Sequence, residues 1–150
     1  MSADGSGWVE RRLTELGLTL PPVAAPVAAY QPAVLDGNRV WTSGQLPFVA
    51  GELPATGRVG DGDGLVEPAE AARLAGICAL NALAAVKSVV GDLDRITRVV
   101  KVVGFVASAP TFTGQPGVVN GASELLGTIL GEAGKQARSA VGVTVLPLDS

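Results

Sequence analysis

A long run of Ala, Leu and Val in the middle of the chain constrains the fold more than any other feature of the sequence. Residues 69–90 contain few charged side chains. Proline is favoured at the first position of a helix and glycine just after its end, so Glu67-Pro68 and Gly91 predict the bounds of one helix. Because few polar residues interrupt it, we expect this helix to be largely buried. Cys78 lies within the run, and we interpret it as a small packing residue rather than a reactive thiol.

Two short segments before this helix have the pattern of a β-hairpin. Residues 33–35 and 39–43 flank Asp36-Gly37-Asn38. Glycine and asparagine supply the positive φ angles that tight hairpin turns require. The sequence therefore predicts two antiparallel strands joined by this turn.

Three segments after the long helix predict a strand, a helix and a strand. Residues 96–107 are rich in β-branched side chains and predict a strand near the sheet centre. Residues 116–133 carry apolar side chains at helical spacing and predict a second helix. Residues 138–146 predict a last strand, in which three valines alternate with small or polar residues. These valines are Val141, Val143 and Val145.

The resulting order, β-β-α-β-α-β, indicates an α+β fold in which two helices cover one face of a mixed sheet. The other face then needs a cover of its own. The valine-rich strands favour a second copy of the chain as that cover, so we expect an oligomer. The valines that support this expectation are Val99, Val103, Val141, Val143 and Val145.

The segment before the hairpin is expected to lie outside this body. Trp8, Val9, Leu13 and Leu16 recur at helical spacing before Gly17, which predicts a short peripheral helix. Four prolines then favour an extended connection through residues 18–32. These are Pro21, Pro22, Pro26 and Pro32.

The longest loop, residues 46–66, contains a motif similar to part of a calcium loop. Asp61-Gly62-Asp63-Gly64 lacks the downstream glutamate and the flanking helices of such a site, so we interpret it as a solvated turn and expect no metal. No stretch matches a phosphate loop, a dinucleotide fingerprint or a nucleophile elbow, and we expect no cofactor.

The absence of histidine from the 150 residues excludes several classes of catalytic site. A Ser-His-Asp triad, an HExxH zinc site and a carboxylate-histidine relay each need an imidazole. A single cysteine excludes an internal disulfide and a CxxC motif. This cysteine usage fits a reducing compartment, and we expect the protein to be cytoplasmic.

Charge and hydropathy favour neither a membrane nor a nucleic acid as partner. Residues 1–7 lack the regions of a signal peptide, and later apolar runs are interrupted by charge or glycine. The 11 basic residues are dispersed in a chain of net charge −3. Binding to a phosphate backbone usually needs a clustered positive face.

Two places in the sequence have the chemistry to bind a small carboxylate. Ser43-Gly44-Gln45, at the end of the second predicted strand, offers a hydroxyl, free backbone amides and a carboxamide. Arg138 begins the last strand on the face opposite the valines, and its planar guanidinium matches a carboxylate with two parallel hydrogen bonds. Both features have ordinary alternatives, since the first could simply end a strand and Arg138 could be a solvated or interface charge.

Several motifs occur in an order and spacing shared with a known family. They are Tyr30-Gln31-Pro32-Ala33-Val34, Gly37-Asn38, Val40-Trp41-Thr42-Ser43-Gly44-Gln45-Leu46-Pro47, Asn81-Ala82-Leu83, Val99-Val100-Lys101, Asn120 and Ala137-Arg138-Ser139. Over residues 30–147 the chain resembles the Rid (reactive intermediate deaminase) family, also called YjgF-like. Residues 1–29, the helix and proline-rich lead-in, are similar to a longer branch of that family, and residues 30–150 correspond to its domain.

The resemblance implies a chorismate-mutase-like fold, assembled as a homotrimer with a ligand cleft at each subunit interface. Active members hydrolyse small 2-enamino or 2-imino acids to 2-keto acids and ammonia without a cofactor. The alternative function is a trimer that binds small carboxylates without turnover. Some members are described as ribonucleases, but the acidity of this chain and its lack of histidine argue against that activity.

The resemblance also implies roles for individual residues. Arg138 would bind the substrate carboxylate, and backbone groups near Ser43 and Gly44 would orient the amine or water. Tyr30 and Asn120 would line the cleft beside them. Judged by residue type alone, Tyr30 is a packing aromatic and Asn120 a helix cap or surface amide.

The chain departs from the family pattern at two points. Ala140 stands two residues after Arg138, where many members have cysteine, so no thiol-based role is expected there. The sequence ends at Ser150, whereas the family continues into a final strand whose glutamate is thought to activate water. Either the sequence given is shortened or another segment takes the place of this strand. Without the strand we expect a weak deaminase, because Glu124 on the polar side of the second helix is poorly placed to replace that acid.

Overall fold

The computed structural model describes residues 5–23 and 29–150. Three helices and four strands occur in these residues. In chain order they are α1 (Trp8–Glu15), β1 (Ala33–Asp36), β2 (Arg39–Thr42), α2 (Pro68–Val90), β3 (Lys101–Ala107), α3 (Gln115–Leu130) and β4 (Ala137–Val143). This order confirms the predicted α+β arrangement. The prediction for Pro26 lies outside the described residues.

The central helix, α2, begins and ends where its flanking residues predict. Pro68 occupies its first turn, and Gly91 follows it with a φ angle of 81°, a left-handed conformation that glycine adopts without a steric penalty. Partly buried Cys78 lies on this helix, and burial raises the pKa of its thiol to about 12. That shift agrees with a packing role.

The helices α2 and α3 approach each other closely through small residues. At Gly121 a Cβ atom would overlap the backbone carbonyl of Ala72, and at Gly76 it would lie 3.5 Å from the carbonyl oxygen of Gly121. Glycine at these positions therefore lets the two backbones touch. Leu83 of α2 and Ile129 of α3 belong to the larger core cluster.

The strands form two pairs beneath these helices. β1 and β2 are antiparallel, with Ala33 opposite Thr42 and Gly37 in the turn, and β3 and β4 are parallel, with Val102 opposite Arg138. Antiparallel and parallel pairing, which a mixed sheet combines, are both present. In the described residues, however, the four strands make two separate two-stranded sheets rather than one.

Three element bounds differ by three or more residues from those predicted. β3 begins at Lys101 rather than at residue 96, because Ile96 and Val99 pack against the helical core and the Val99 amide bonds to the Ala133 carbonyl. α3 ends at Leu130 rather than at residue 133, because Gly131 takes a φ angle of 61° and a 3-10 turn follows. β4 ends at Val143 because its partner strand ends opposite it.

The N-terminal helix is part of the core, so the expectation of a peripheral helix is wrong. Val9 and Leu13 of α1 are buried in the larger cluster. The carboxylate of Asp94 accepts hydrogen bonds from the first two helical amides, those of Trp8 and Val9, at 2.8 and 2.9 Å. An acidic cap from a distant segment thus stabilises the helix start. Glu10 also pairs with Lys87 of α2.

The face of the β3–β4 sheet turned away from α3 is apolar and exposed. Gly104 and Ala140 point towards α3, where the Val119 side chain fills the space that a Cβ at Gly104 would need. The opposite face presents Val103, Phe105 and Val141, of which Phe105 is 57% exposed. The helix therefore covers the face with Val102, Gly104 and Ala140 and leaves the face with Val103, Phe105 and Val141 open. Val99 was expected on this exposed face, but it packs against the core.

By length and composition α2 could also cross a membrane, which the sequence argument did not anticipate. Core helices of globular proteins pass the same test. In this structure α2 packs against α3 and the β1–β2 hairpin, as a core helix does.

Candidate functional site

Arg138 lies at the start of β4 with its guanidinium against α3. Its Nη1 donates to Asn120 Oδ1 at 2.7 Å and to Ser123 Oγ at 3.2 Å, and its Nη2 donates to the Pro116 carbonyl at 3.3 Å. Ser123 Oγ also accepts a hydrogen bond from Gln136 Nε2 at 2.6 Å. We call these residues the Arg138 cluster.

The regular geometry of the two elements brings this cluster together. Positions 116, 120 and 123 fall on one face of α3, because residues three and four apart are neighbours on a helix. Arg138 points to the same side of the sheet as Val102, its partner in β3, and that side packs under α3. The close contact at Gly104 sets the distance between helix and strand.

The electrostatics of the Arg138 cluster favour an anion. Each oxygen that accepts from the guanidinium is neutral, namely an amide, a hydroxyl and a backbone carbonyl. No carboxylate in the described part of the chain forms an ion pair with Arg138. The positive charge is therefore oriented but not neutralised, and a planar guanidinium is the group that matches a carboxylate with paired hydrogen bonds.

The other predicted site residues lie on and beside the β1–β2 hairpin. Ser43 Oγ donates to the Gln31 carbonyl at 2.5 Å, and Gln45 Nε2 donates to the Ser43 carbonyl at 3.2 Å. Gly44 is exposed between them, and the side chain of Tyr30 is 44% exposed just before β1. The Ser43 hydroxyl and the Gln45 amide are thus engaged locally.

Within one chain the predicted residues form two groups. Arg138 and Asn120 are in direct contact. Ser43 and Gln45 make their hydrogen bonds within the hairpin segment, and no hydrogen bond of the described residues joins them to Arg138. Glu124 is exposed on α3 and is not a member of the Arg138 cluster.

Asn81 has a positioning role that reasoning from residue type missed. Its buried side chain donates through Nδ2 to the carbonyls of Leu46 and Phe48 at 2.9 and 3.2 Å. These carbonyls belong to the loop that follows Gln45, so α2 holds the end of the Ser43-Gly44-Gln45 segment. A lone carboxamide inside an apolar helix was the available signal, since buried polar groups need partners. Ser123 and Gln136 carried no comparable signal.

The predicted solvated turn at residues 61–64 contains two glycines with positive φ, Gly62 at 122° and Gly64 at 77°. A search of residues 5–23 and 29–150 finds no group of three or more Asp, Glu, Cys or His side chains placed to hold a metal ion.

The chain is similar in sequence and in fold to known proteins. The sequence model of the family described as "YjgF/chorismate_mutase-like, putative endoribonuclease" matches residues 10–150. The protein TCP17 of Trypanosoma cruzi is 44% identical over 150 residues, which cover 98% of this chain and 91% of TCP17.

Two solved structures have the same fold over most of the chain. Atu1372 from Agrobacterium tumefaciens, described as of unknown function, is 49% identical with a TM-score of 0.86, covering 95% of this chain and 86% of its own. A protein from Shewanella oneidensis described as a "putative endoribonuclease" is 35% identical with a TM-score of 0.89, covering 95% and 92%.

Proposed function

Since the chain belongs to the YjgF/chorismate-mutase-like family, we propose that it binds small 2-keto and 2-imino acids and hydrolyses the imino acids. Water adds to the C=N bond of the 2-imino acid, and loss of ammonia leaves the 2-keto acid. The reaction is balanced by water alone and needs no cofactor. A 2-enamino acid enters the same reaction after it tautomerises to the imine.

The observation that carries this proposal is the un-neutralised guanidinium of Arg138. Asn120 and Ser123 fix its orientation with neutral oxygens, so an arriving carboxylate meets a charge that has no competing acid. A hydrogen bond between charged partners is stronger than one between neutral groups. The substrate class follows from this anchor and from the family.

The remaining site residues complete the proposed cleft between subunits. We assign the exposed Gly44 backbone and the Ser43 segment to the imine nitrogen or the water, and Tyr30 to the cleft wall. The apolar face with Val103, Phe105 and Val141 is the surface proposed to join three copies of the chain. In such a trimer the Ser43 segment of one copy can face the Arg138 cluster of its neighbour.

Binding without turnover is the second candidate, and it is favoured by the lack of a carboxylate among the hydrogen-bond partners that the described residues give Arg138. Hydrolysis needs a group that accepts a proton from water, and such a group contributes about 10²- to 10⁴-fold in rate. In residues 5–23 and 29–150, no carboxylate is hydrogen-bonded to Arg138. The chain would then hold small carboxylates and release them unchanged.

Other parts of the proposal concern partners and location. RNA cleavage is not part of it, although the family description names that activity, because the chain has net charge −3 and no histidine. The proposed compartment is the cytoplasm, because a chain with one cysteine has no internal disulfide that would need an oxidising environment.

A coupled assay tests the reaction. A pyridoxal-phosphate dehydratase generates 2-aminoacrylate from serine, and release of pyruvate is timed with and without this protein. We expect acceleration by the parent protein and none by Arg138→Gln, with Arg98→Gln as the matched control at an exposed arginine. No acceleration by the parent, together with measurable binding of pyruvate, would replace the deaminase with the binding protein.

A further inference from the structure

A second polar cleft, of about 420 Å³, lies at the carboxyl ends of β3 and β4. Its lining includes Arg58, Ser108, Phe112, Gln115 and Thr144, none of which belongs to the Arg138 cluster. Ser108 directly follows β3, Thr144 directly follows β4, and Gln115 begins α3. A cleft of this size is in the range that binds small molecules.

Backbone hydrogen bonds hold Arg58 at the rim of this cleft. The Val59 amide donates to the Ala107 carbonyl at 2.7 Å, and the Ala109 amide donates to the Val59 carbonyl at 2.9 Å. The segment that carries Arg58 thus continues the sheet beside the end of β3. No carboxylate lines the cleft, and no described residue forms an ion pair with Arg58. The rim therefore presents one free positive charge.

Hydrogen bonds among Ser108, Phe112 and Gln115, which form the floor of the cleft, leave the Gln115 side-chain oxygen as an acceptor. Gln115 Nε2 donates to the Phe112 carbonyl at 2.7 Å and to Ser108 Oγ at 3.1 Å, and the Ser108 hydroxyl donates to the Val106 carbonyl at 3.0 Å. Because a carbonyl oxygen can only accept, the Gln115 atom that bonds to the Phe112 carbonyl must be the amide nitrogen. Gln115 Oε1 is then the side-chain atom that can accept a hydrogen bond from a ligand. The Ser108 proton is already committed.

Gly142 makes this floor possible. A Cβ at position 142 would lie 2.7 Å from Gln115 Nε2 and 2.8 Å from Ser108 Oγ, so any larger residue would displace the amide. The cleft consequently combines a cationic rim, a fixed acceptor and the Thr144 hydroxyl with an apolar wall that includes Phe112 and Val143.

We propose that this cleft binds a small aliphatic 2-hydroxy acid, independently of the function proposed above. The carboxylate pairs with Arg58 and accepts from the Thr144 hydroxyl, the ligand hydroxyl donates to Gln115 Oε1, and the aliphatic tail packs on Phe112. A single negative charge matches the single guanidinium. An amino acid fits less well, because its ammonium group would lie near Arg58 with no carboxylate in the lining to pair with it.

Calorimetric titration with three acids of similar shape tests the proposal. The probes are 2-hydroxy-4-methylpentanoate, 4-methylpentanoate, which lacks the hydroxyl, and leucine, which has an ammonium group in its place. The hydroxy acid is expected to bind the parent protein about ten-fold more tightly than either of the others. Arg58→Gln is expected to weaken its binding about ten-fold or more. Arg98→Gln should leave it unchanged, and in Arg138→Gln the preference for the hydroxy acid over the other two acids should remain.

Four outcomes would overturn the assignment. Equal affinity for the three acids would show that Gln115 does not read a hydroxyl. Unchanged binding in Arg58→Gln, which alters an exposed side chain, would show that the acid lies elsewhere. Loss of binding in Arg138→Gln would place the acid at the Arg138 cluster, and the deaminase assay would still stand or fall separately. The absence of any binding to the parent protein would also contradict the proposal.

Discussion

At the scale of single residues, buried Asn81 connects the central helix to the Ser43-Gly44-Gln45 segment. Replacement by leucine removes both donors and leaves the Leu46 and Phe48 carbonyls without these partners. We expect Asn81→Leu to lower the free energy of unfolding by about 1–3 kcal/mol in urea titrations. Asn81→Asp, which keeps the shape but loses the donor, should be destabilised as well. Unfolding of Asn81→Leu at the same urea concentration as the parent would contradict this role.

The Cys78 thiol should make the folded protein sensitive to alkali. Burial raises its pKa to about 12, so between roughly pH 9 and pH 12 the folded chain keeps a proton that the unfolded chain releases. Stability is thus unaffected below pH 9 and falls as the pH rises above it, by up to about 1.4 kcal/mol per pH unit from this group. Urea titrations at pH 8 and pH 10.5 measure the fall, which should be smaller in Cys78→Ala. An equal fall in both proteins would rule out this source.

Residue type predicted part of the Arg138 cluster. An arginine at a strand start, opposite the valines, was one candidate for a carboxylate anchor. Asn120 was named only by the resemblance, and the two side chains are in contact. Ser123 and Gln136 were not predicted because their roles depend on how α3 is rotated over the sheet. That rotation is set by the close packing of Val119 on Gly104, which no local pattern in the sequence reveals.

At the scale of elements, the crossing of α2 and α3 depends on Gly121. A methyl group there would overlap the Ala72 carbonyl, so the helices must separate. We expect Gly121→Ala to destabilise the protein by about 1–3 kcal/mol in thermal or urea unfolding. Gly127→Ala is the matched control, because its Cβ would meet nothing within 4 Å, and alanine there should be neutral or stabilising by up to about 1 kcal/mol. Equal effects of the two substitutions would contradict the close crossing.

Helical spacing and terminal residues predicted the elements better than β-branched content did. Pro68 and Gly91 bound α2 as expected, whereas the β-branched run from residue 96 was assigned to a strand too early. Ile96 and Val99 serve the helical core instead. The role of α1 in the core was missed because its cap, Asp94, lies 85 or more residues away in the chain.

At the scale of the whole molecule, the exposed apolar face predicts self-association. Phe105 and Val141 lie on the sheet face that no helix covers. Large exposed apolar patches in soluble proteins commonly mark interaction surfaces. We expect a trimer in light scattering and sedimentation at micromolar concentrations. Phe105→Glu should yield monomers with an unchanged circular dichroism spectrum, whereas Thr128→Glu, at an exposed position of α3, should remain trimeric. A monomeric parent protein would contradict the proposed assembly.

The central claim is that the Arg138 guanidinium recognises a small carboxylate by its shape as well as its charge. Titration of the parent protein and Arg138→Lys with 2-ketobutyrate tests this claim most directly. Lysine keeps the charge but loses the paired donors, so the variant should bind about ten-fold or more weakly, a loss of roughly 1.5–3 kcal/mol. Arg98→Lys, at an exposed arginine, should bind as the parent does. Equal affinity of the parent and Arg138→Lys would show that Arg138 is not the carboxylate anchor.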